Sequence, residues 1–197
     1  MMTSSPTLAA TLWPTAPADT STGRAFRNVL LAVAGSLALW ASAKIQVPFW
    51  PVPMTMQTFV VLALAAALGT RLGTAAVLLY LVEGAVGLPV FAGTPEKGLG
   101  LAYMMGPTGG YLAGFVAAAF VVGALAERGF DRTIPRMLAA AAIGHAIIFL
   151  CGWGWLSTLL GAEKAWVLGV APFHAATVAK TLLAALSLPA IWRLTGR

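Results

Sequence analysis

The sequence predicts an all-α integral membrane protein with six transmembrane helices and both termini in the cytoplasm. Three observations support this fold class. Of the 197 residues, 59% are hydrophobic and 9% are charged, whereas a soluble domain is about 25% charged. The apolar residues form runs that approach the length of about 20 residues that a membrane helix needs. The few basic residues lie between these runs, as they do in the loops of membrane proteins.

The same composition excludes several classes of function. Twelve basic and six acidic side chains are too few to cover the surface of a soluble enzyme, and the chain is too apolar to be disordered. The formal net charge is +6, but the basic residues are scattered between apolar runs, so a nucleic-acid-binding module is also excluded. Cys151 is the one cysteine, and an internal disulfide is therefore impossible.

Six apolar segments define the predicted spans. We interpret residues 1–23, which are rich in Ser, Thr, Pro and Ala, as a flexible cytoplasmic tail, and residues 24–197 as one substrate-binding transmembrane domain. The segment from Gly69 to Gly73 is so short that it predicts a hairpin turn between the second and third spans. The spans are predicted at residues 24–43, 55–69, 73–88, 107–126, 135–160 and 165–193.

The distribution of basic residues predicts the orientation. With a cytoplasmic N-terminus and six spans, the inner side holds eight arginines and the outer side holds three lysines. Because basic residues accumulate on the cytoplasmic side of membrane proteins, both termini are predicted to be cytoplasmic. The arginines are Arg24, Arg27, Arg71, Arg128, Arg132, Arg136, Arg193 and Arg197, and the lysines are Lys44, Lys97 and Lys164.

Two charged residues lie inside predicted spans, where a charge is costly. Glu83 lies in the third span near its outer end, and Lys180 lies in the sixth span after Pro172. At about 1.5 Å of rise per residue, both lie roughly 8–12 Å below the outer surface. Opposite charges at one depth indicate either a structural ion pair between two helices or a polar pocket that opens to the outside. We favour the pocket.

Neighbouring side chains on the same helix faces support a pocket. Helical spacing places Tyr80 beside Glu83, and it places Phe173 and Thr177 beside Lys180. Each face therefore combines an aromatic ring and a charge, and the second adds a hydroxyl, which is the mixture that small-molecule sites use. Ordinary core packing is an equally good explanation for Tyr80 or Phe173 taken alone.

The two long outer loops are apolar and rich in proline or glycine. Residues 44–54 include Trp50 and three prolines, and residues 89–106 include Phe91, Lys97 and several glycines. Such loops often act as lids over a site. Anchoring by Trp50, Phe91 and Tyr103 in the headgroup region is the alternative, and it is compatible with a lid.

Small residues recur at four-residue intervals in two spans, which allows helices to approach closely. In the fourth span we interpret this pattern as helix packing. In the first span, Ala34, Ala38 and Ser42 could serve internal packing or could dock a partner helix, and the sequence leaves both open. The glycines of the fourth span are Gly106, Gly110 and Gly114.

No motif for catalysis, nucleotide binding or metal binding is present. The sequence has no phosphate-binding loop, no Gly-x-Ser-x-Gly elbow and no His-Glu-x-x-His helix. His145 in the fifth span is more typical of a hydrogen-bonded core residue than of a catalyst. Two alternatives stay open: an intramembrane enzyme using His145 with Ser157, and a channel or proton-coupled small-molecule exporter using Glu83.

Three segments carry a resemblance to a known family. They are Pro-Val-Pro-Met-Thr-Met-Gln-Thr at 51–58, Glu-Gly-Ala-Val-Gly-Leu-Pro-Val-Phe-Ala-Gly at 83–93, and Gly-Pro-Thr-Gly-Gly-Tyr-Leu-Ala-Gly-Phe at 106–115. The chain resembles the BioY family over roughly residues 28–192. This family comprises the biotin-binding S components of energy-coupling factor (ECF) transporters, so the resemblance implies an S-component-like fold of six helices with a biotin pocket near the outer surface.

The resemblance also implies roles for individual residues. Glu83 and Lys180 would bind the ureido group of biotin, and Lys97 would pair with its carboxylate. The family has an Asp where this sequence has Thr177, which can hydrogen-bond but carries no charge. Other expected ligand-binding positions are Gln57, Tyr111, Tyr80, Phe173, Trp50 and Phe91, the last two by excluding water from the ring.

Finally, the resemblance implies partners and a location. Expected partners are a transmembrane coupling subunit (T component) and cytoplasmic ATPase subunits that alone use ATP. The stripe with Ala34 and Ala38 is the candidate docking face for a partner helix. The chain itself is expected to bind biotin and membrane lipid, with no cofactor, metal or nucleic acid, and to form a possible homo-oligomer when alone. It is expected in the bacterial cell (inner) membrane as a multi-pass protein that does no catalysis.

Overall fold

The structure, a computed structural model, describes residues 5–14, 20–48 and 50–195. It is built almost entirely of helices. Short 3-10 turns occupy Phe130–Arg132 and Ala171–Phe173, and the strands β1 (Gln46–Val47) and β2 (Met54–Thr55) form an antiparallel pair. The helices are α1 (Leu8–Leu12), α2 (Ser21–Lys44), α3 (Gln57–Ala85), α4 (Gly100–Met104), α5 (Gly109–Ala126), α6 (Ile134–Leu160), α7 (Ala162–Gly169) and α8 (His174–Leu194).

Helix α3 folds back on itself at Gly69. This glycine has φ 81° and ψ 179°, a conformation that side chains larger than hydrogen disfavour. The Nε2 of Gln57 lies 2.7 Å from the hydroxyl of Tyr80, 23 residues further along the chain, whereas a straight helix would separate them by about 35 Å. The arms 57–68 and 70–85 are therefore antiparallel, as the predicted hairpin requires.

The all-α membrane fold is confirmed, and the helices are consistent with six spans. Within the described residues, five helical segments are long and apolar enough to cross a membrane, and one of them, α3, contains both the second and the third span. Glu127, just after α5, binds the turn of this hairpin, since its Oε1 accepts a hydrogen bond from the backbone N–H of Thr70 at 2.8 Å. This contact places the hairpin turn beside the arginine-rich inner ends of the helices.

The sixth span differs from its prediction at the outer end. Residues 165–193 were expected to form one helix, but α7 ends at Gly169, a 3-10 turn follows, and α8 begins at His174. Pro172 lies in that turn. Proline has no N–H to donate and its ring obstructs the preceding turn of a helix. The span is therefore interrupted between α7 and α8, and α7 packs against α6.

Close contact between α5 and α6 forms the centre of the helical bundle. A Cβ added at Gly110 would lie 2.3 Å from the Cβ of Trp155, and one added at Gly114 would lie 2.9 Å from the Cα of Ile148. The packing interpretation of these glycines is therefore confirmed. On the other side, α5 packs against α3, with α2 covering α3 and α8 lying against α6 and α3.

The predicted flexible tail is partly wrong, because its described residues include a helix that packs on the inner side. In α1, Leu8 is only 5% exposed, and the Nη2 of Arg27 donates to the carbonyl of Ala9 at 3.1 Å. The backbone N–H of Ser5 donates to the carbonyl of Glu127 at 2.8 Å. A short helix capped by Thr7 gave no periodicity to detect. Residues 1–4 and 15–19 lie outside the described residues.

A buried carboxyl group joins two inner ends of the bundle. Asp131, between α5 and α6, is 1% exposed, and its Oδ2 accepts a hydrogen bond from the indole Nε1 of Trp192 on α8. The Oδ1 atom has no hydrogen-bond partner among the described residues. Burial raises the pKa of the Asp131 carboxyl above its ordinary value, although the Trp192 bond and the charge of Arg132 oppose this shift.

Candidate functional site

A cavity lies at the outer end of the bundle between α3, α5, α6, α8 and the outer loops. The empty space within it, counted out into its opening, is about 580 Å³. Its apolar lining consists of Val52, Pro53, Phe91, Ala92, Leu112, Phe115, Ile148, Phe149 and Phe173, and its polar lining consists of Thr55, Gln57, Thr58, Tyr80, Tyr103, Thr108, Tyr111 and Lys180.

Lys180 brings a cation into this cavity from α8. The residue is 8% exposed, and its Nζ donates to the carbonyl of Thr55 at 2.7 Å and to the Oγ1 of Thr58 at 3.2 Å. An ammonium group has three donors, so one N–H has no protein acceptor among the described residues. None of the described residues brings a carboxylate to the cavity lining, and the ammonium is therefore suited to an acceptor group of a ligand.

A chain of hydrogen bonds connects α3 to the outer loop that follows it. The Oγ1 of Thr55 donates to the Oε1 of Gln57 at 3.3 Å, and the Nε2 of Gln57 donates to the Tyr80 hydroxyl at 2.7 Å. The Tyr80 hydroxyl then donates to the carbonyl of Val90 at 3.1 Å. Gln57 and Tyr80 are almost completely buried, so this chain fixes the orientation of the Gln57 amide beside the cavity.

The segment 89–94, which we call the Phe91 segment, covers the cavity on its outer side. The Phe91 ring is stacked on Tyr103, with centroids 4.8 Å apart, and meets Tyr80 edge-on at 5.5 Å. Gly84 leaves room for this ring, because a Cβ there would lie 2.0 Å from the Phe91 Cζ. Tyr103 also donates to the carbonyl of Ala92 at 2.8 Å.

Tyr103 is a neutral donor in this arrangement. Burial raises the pKa of its phenol above the ordinary value, an effect that a hydrogen bond with Thr108 partly offsets. Tyr103 and Thr108 also line a second, smaller cavity next to the first. Lys97, which is exposed, lines that smaller cavity. The predicted carboxylate-binding lysine therefore lies near the mouth of the main cavity rather than inside it.

Aromatic rings close the cavity towards α6 and α7. Tyr111 meets Phe149 edge-on with ring centroids 6.3 Å apart, and Phe149 lies 6.1 Å from Phe173. The Tyr111 hydroxyl donates to the carbonyl of Gly169 at 2.7 Å. This bond ties α5 to the end of α7, and it leaves the ring of Tyr111 as an apolar surface.

The structure brings together six of the ten predicted ligand-binding residues around the main cavity and puts Lys97 at its mouth, but it separates Glu83 from Lys180. The Oε1 of Glu83 accepts a hydrogen bond from the Oγ of Ser36 on α2 at 2.9 Å. Glu83 follows Tyr80 by three residues and is thus turned roughly 60° from it around the helix. The expected meeting of the two charges is therefore wrong. The six residues are Gln57, Tyr80, Phe91, Tyr111, Phe173 and Lys180.

Thr177 and Trp50 also lie away from the main cavity. Thr177 lines a separate apolar groove between α6 and α8, although it lies only about 60° around the helix from Lys180. Trp50 is 72% exposed and is absent from the cavity lining. On α2, Ala34 is exposed and Ala38 is half-buried, whereas Ser42 is buried, so the small-residue stripe is divided between the surface and the core.

His145 is a core residue, as its sequence context favours. It is 2% exposed, and its Nδ1 lies 3.0 Å from both the carbonyl of Ala141 and the Oγ1 of Thr181. Ser157 donates instead to the carbonyl of Trp153. The described residues contain no cluster of three or more potential metal ligands.

Sequence reasoning missed four polar residues that line the cavity. Thr55 and Thr58 flank Gln57 in the Met-Thr-Met-Gln-Thr segment, which was a signal that could have identified them. Tyr103 was considered only as a membrane anchor. Thr108 lies in the Gly-Pro-Thr-Gly-Gly-Tyr block, where the neighbouring Tyr111 was chosen on its own.

Six spans with a cavity at the outer end define a multi-pass membrane protein with a small-molecule site. The chain belongs to the BioY family, whose model matches residues 14–197. It is 42% identical over 145 residues to "Biotin transporter BioY" of Thermotoga maritima, covering 73% of this chain and 83% of that protein. It is 39% identical over 142 residues to "Probable biotin transporter BioY" of Pyrococcus horikoshii, covering 72% and 82%.

The fold also matches a solved structure. The crystal structure of "the S-component for biotin from an ECF-type ABC transporter" superposes with a TM-score of 0.70, covering 91% of this chain and 96% of that chain, at 20% identity. This similarity extends over nearly the whole of both chains. The S-component-like arrangement of helices expected from the sequence is thus confirmed.

Proposed function

We propose that this chain binds biotin from the outside of the cell and serves as the S component of an ECF-type transporter for biotin uptake. Membership of the BioY family and relatives named as biotin transporters support this function. The observation that carries it is a buried ammonium group, that of Lys180, in a cavity that contains several aromatic rings and, among the described residues, no carboxylate.

The chemistry of biotin matches the cavity. Its fused ring is apolar and would lie among Phe91, Phe149 and Phe173. Its ureido carbonyl is a strong acceptor for the free N–H of Lys180, and its ureido N–H groups can donate to oxygens of the Gln57 and Thr55 side chains. Its carboxylate would extend to Lys97 at the mouth.

Glu83 has a different part in this proposal from the one that the sequence suggested. Its carboxylate is bonded to Ser36 on α2 and would need another rotamer to approach the cavity. We therefore assign the recognition of the ureido group to Lys180 with Gln57, and we assign to Glu83 the joining of α2 to α3. Thr177 and Trp50 would act only if biotin binding moved them.

The proposed transporter needs further subunits to supply energy. A transmembrane T component would contact the chain in the membrane, and cytoplasmic ATPases would use the ATP, with no cofactor bound by this chain. Helix α2 supports such contacts, because only 22% of its most apolar stretch of 18 residues is buried and Ala34 lies on the exposed side. The proposed location is the bacterial cell (inner) membrane.

The direct test is a calorimetric titration of the purified chain in detergent with biotin. We expect saturable binding with a dissociation constant in the micromolar range or tighter, and no binding of thiamine as a control vitamin. Absence of biotin binding at micromolar concentrations would contradict the proposal. Efflux driven by a proton gradient in vesicles without ATPases would favour the exporter instead.

A further inference from the structure

Lys44, the last residue of α2, binds the Phe91 segment through several acceptors at once. Its Nζ lies 2.9 Å from the carbonyl oxygen of Pro89, 3.2 Å from that of Phe91 and 3.2 Å from that of Thr94. The Oγ1 of Thr94 lies 3.3 Å from the same atom. One ammonium group thus donates hydrogen bonds to three carbonyl oxygens of a six-residue segment.

The other side chains that hold this segment belong to the cavity. Tyr80 donates to the carbonyl of Val90, and Tyr103 donates to that of Ala92. Both tyrosines line the cavity, whereas Lys44 does not. Lys44 therefore holds the Phe91 segment from outside the cavity, where a ligand would not compete for its hydrogen bonds.

Removal of the ammonium would leave the carbonyls of Pro89 and Thr94 without this donor, while that of Phe91 would keep the hydroxyl of Thr94, which donates to it at 2.7 Å. Hydrogen bonds from a charged donor are about twice as strong as neutral ones, and carbonyl oxygens gathered around one point repel each other when the cation is absent. Because the bonds to Phe91 and Thr94 are partly buried, water can fully solvate these two carbonyls only if the segment moves outwards. Because Phe91 covers the cavity, such a movement would open it.

We propose that Lys44 is a positioning residue that keeps the Phe91 segment closed over the cavity and so sets how long a ligand stays bound. The identity of the ligand as biotin rests on the proposed function. A ligand passes the open segment both when it enters and when it leaves, so an equilibrium that favours the closed segment slows both steps. Lys44 should therefore lower the association rate as well as the dissociation rate.

Stopped-flow measurement of biotin binding and release tests this role. Lys44→Met keeps the length of the side chain without its charge, and we expect biotin to dissociate at least 10-fold faster and to associate faster as well, because the segment is open for more of the time. Lys44→Arg should recover most of the residence time, and Lys164→Met, which removes another outer lysine, should behave as wild type. Equal dissociation rates for wild type and Lys44→Met would overturn the proposal.

A measurement without ligand separates this proposal from the function. Hydrogen exchange at the amides of residues 90–94 should be at least 10-fold faster in Lys44→Met than in wild type or Lys164→Met. Unchanged exchange would overturn the role of Lys44 even if the wild type binds biotin, and a wild type that binds no biotin would overturn only the function. If Lys44→Met does not elute as a folded protein, Lys44→Gln, which keeps a neutral donor in place of the ammonium, should show the same changes at about 3-fold.

Discussion

Lys180 was sufficient to predict the site, but not the acceptors of its hydrogen bonds. A lysine within an apolar run is costly unless it is paired or solvated, and this cost predicted a polar pocket near the outer surface. Its acceptors, the carbonyl of Thr55 and the hydroxyl of Thr58, come from the other end of the sequence. Every residue has a backbone carbonyl, so the sequence does not indicate which one accepts a hydrogen bond. Glu83 was predicted as the partner only because of its charge.

Substitution of Lys180 should weaken ligand binding, whereas substitution of Glu83 should leave it nearly unchanged. Lys180→Met removes the cavity's cation and leaves two acceptors without a donor, so biotin should bind about 30-fold more weakly, equivalent to about 2 kcal/mol. Glu83→Gln keeps an oxygen that accepts from Ser36 and should retain affinity within about 3-fold. Calorimetry in detergent measures both, and a large loss in Glu83→Gln alone would restore Glu83 to the site.

Asp131 makes the stability of the chain depend on pH. Its folded-state pKa is raised by burial, so the folded chain holds the proton more tightly than the unfolded chain, where the pKa is about 3.9. The contribution of Asp131 to stability is therefore greatest below about pH 4 and falls as the pH rises through the raised pKa. Asp131→Asn still offers an oxygen to Trp192 and should remove this dependence.

Thermal unfolding in detergent between pH 4 and pH 8 measures the effect of Asp131→Asn. We expect the variant to unfold at a temperature at least as high as the wild type at pH 7, and its advantage should shrink towards pH 4. Identical pH profiles for the two proteins would show that Asp131 does not titrate in this range.

At the scale of helices, the contact between α5 and α6 depends on glycine. Gly110→Ala would place a Cβ 2.4 Å from the carbonyl oxygen of Cys151, so the helices must separate, at a cost of about 1–3 kcal/mol. Gly154→Ala on α6 is the matched control, because a Cβ there meets nothing within 4 Å. It should stabilise the helix by up to about 1 kcal/mol. Melting temperatures that fell equally in both variants would contradict this packing.

Helix boundaries were predictable where local sequence features mark them, and less predictable where contacts between distant residues determine them. The predicted spans 107–126 and 135–160 agree with α5 and α6 to within two residues, since uninterrupted apolar runs and the flanking Pro135 mark their ends. The sixth span was predicted to begin at residue 165 because 165–171 is apolar, although Pro172 was a visible reason for a break. Helix α1 is five residues long and is held by contacts with Arg27 and Glu127 that no local pattern encodes.

For the whole molecule, the hairpin in α3 determines where the site lies. Its two arms begin and end at the outer side, so Gln57 and Tyr80 meet there although they are far apart in sequence. The short connection from Gly69 to Gly73 is a local signal, and it was sufficient to predict this fold-back. The position of the cavity on that side follows from topology, whereas the set of lining residues depends on side-chain packing, which the sequence left undetermined.

Chemical labelling of cysteines tests the topology. In a Cys151→Ser background, Arg71→Cys should react with a membrane-impermeant maleimide in inverted vesicles and not in intact cells, because Arg71 is exposed at the inner turn of the hairpin. Lys164→Cys, on α7, should react only in intact cells. If α3 were one straight helix, position 71 would lie in the middle of the membrane and would react from neither side, so protection of Arg71→Cys in both preparations would contradict six spans.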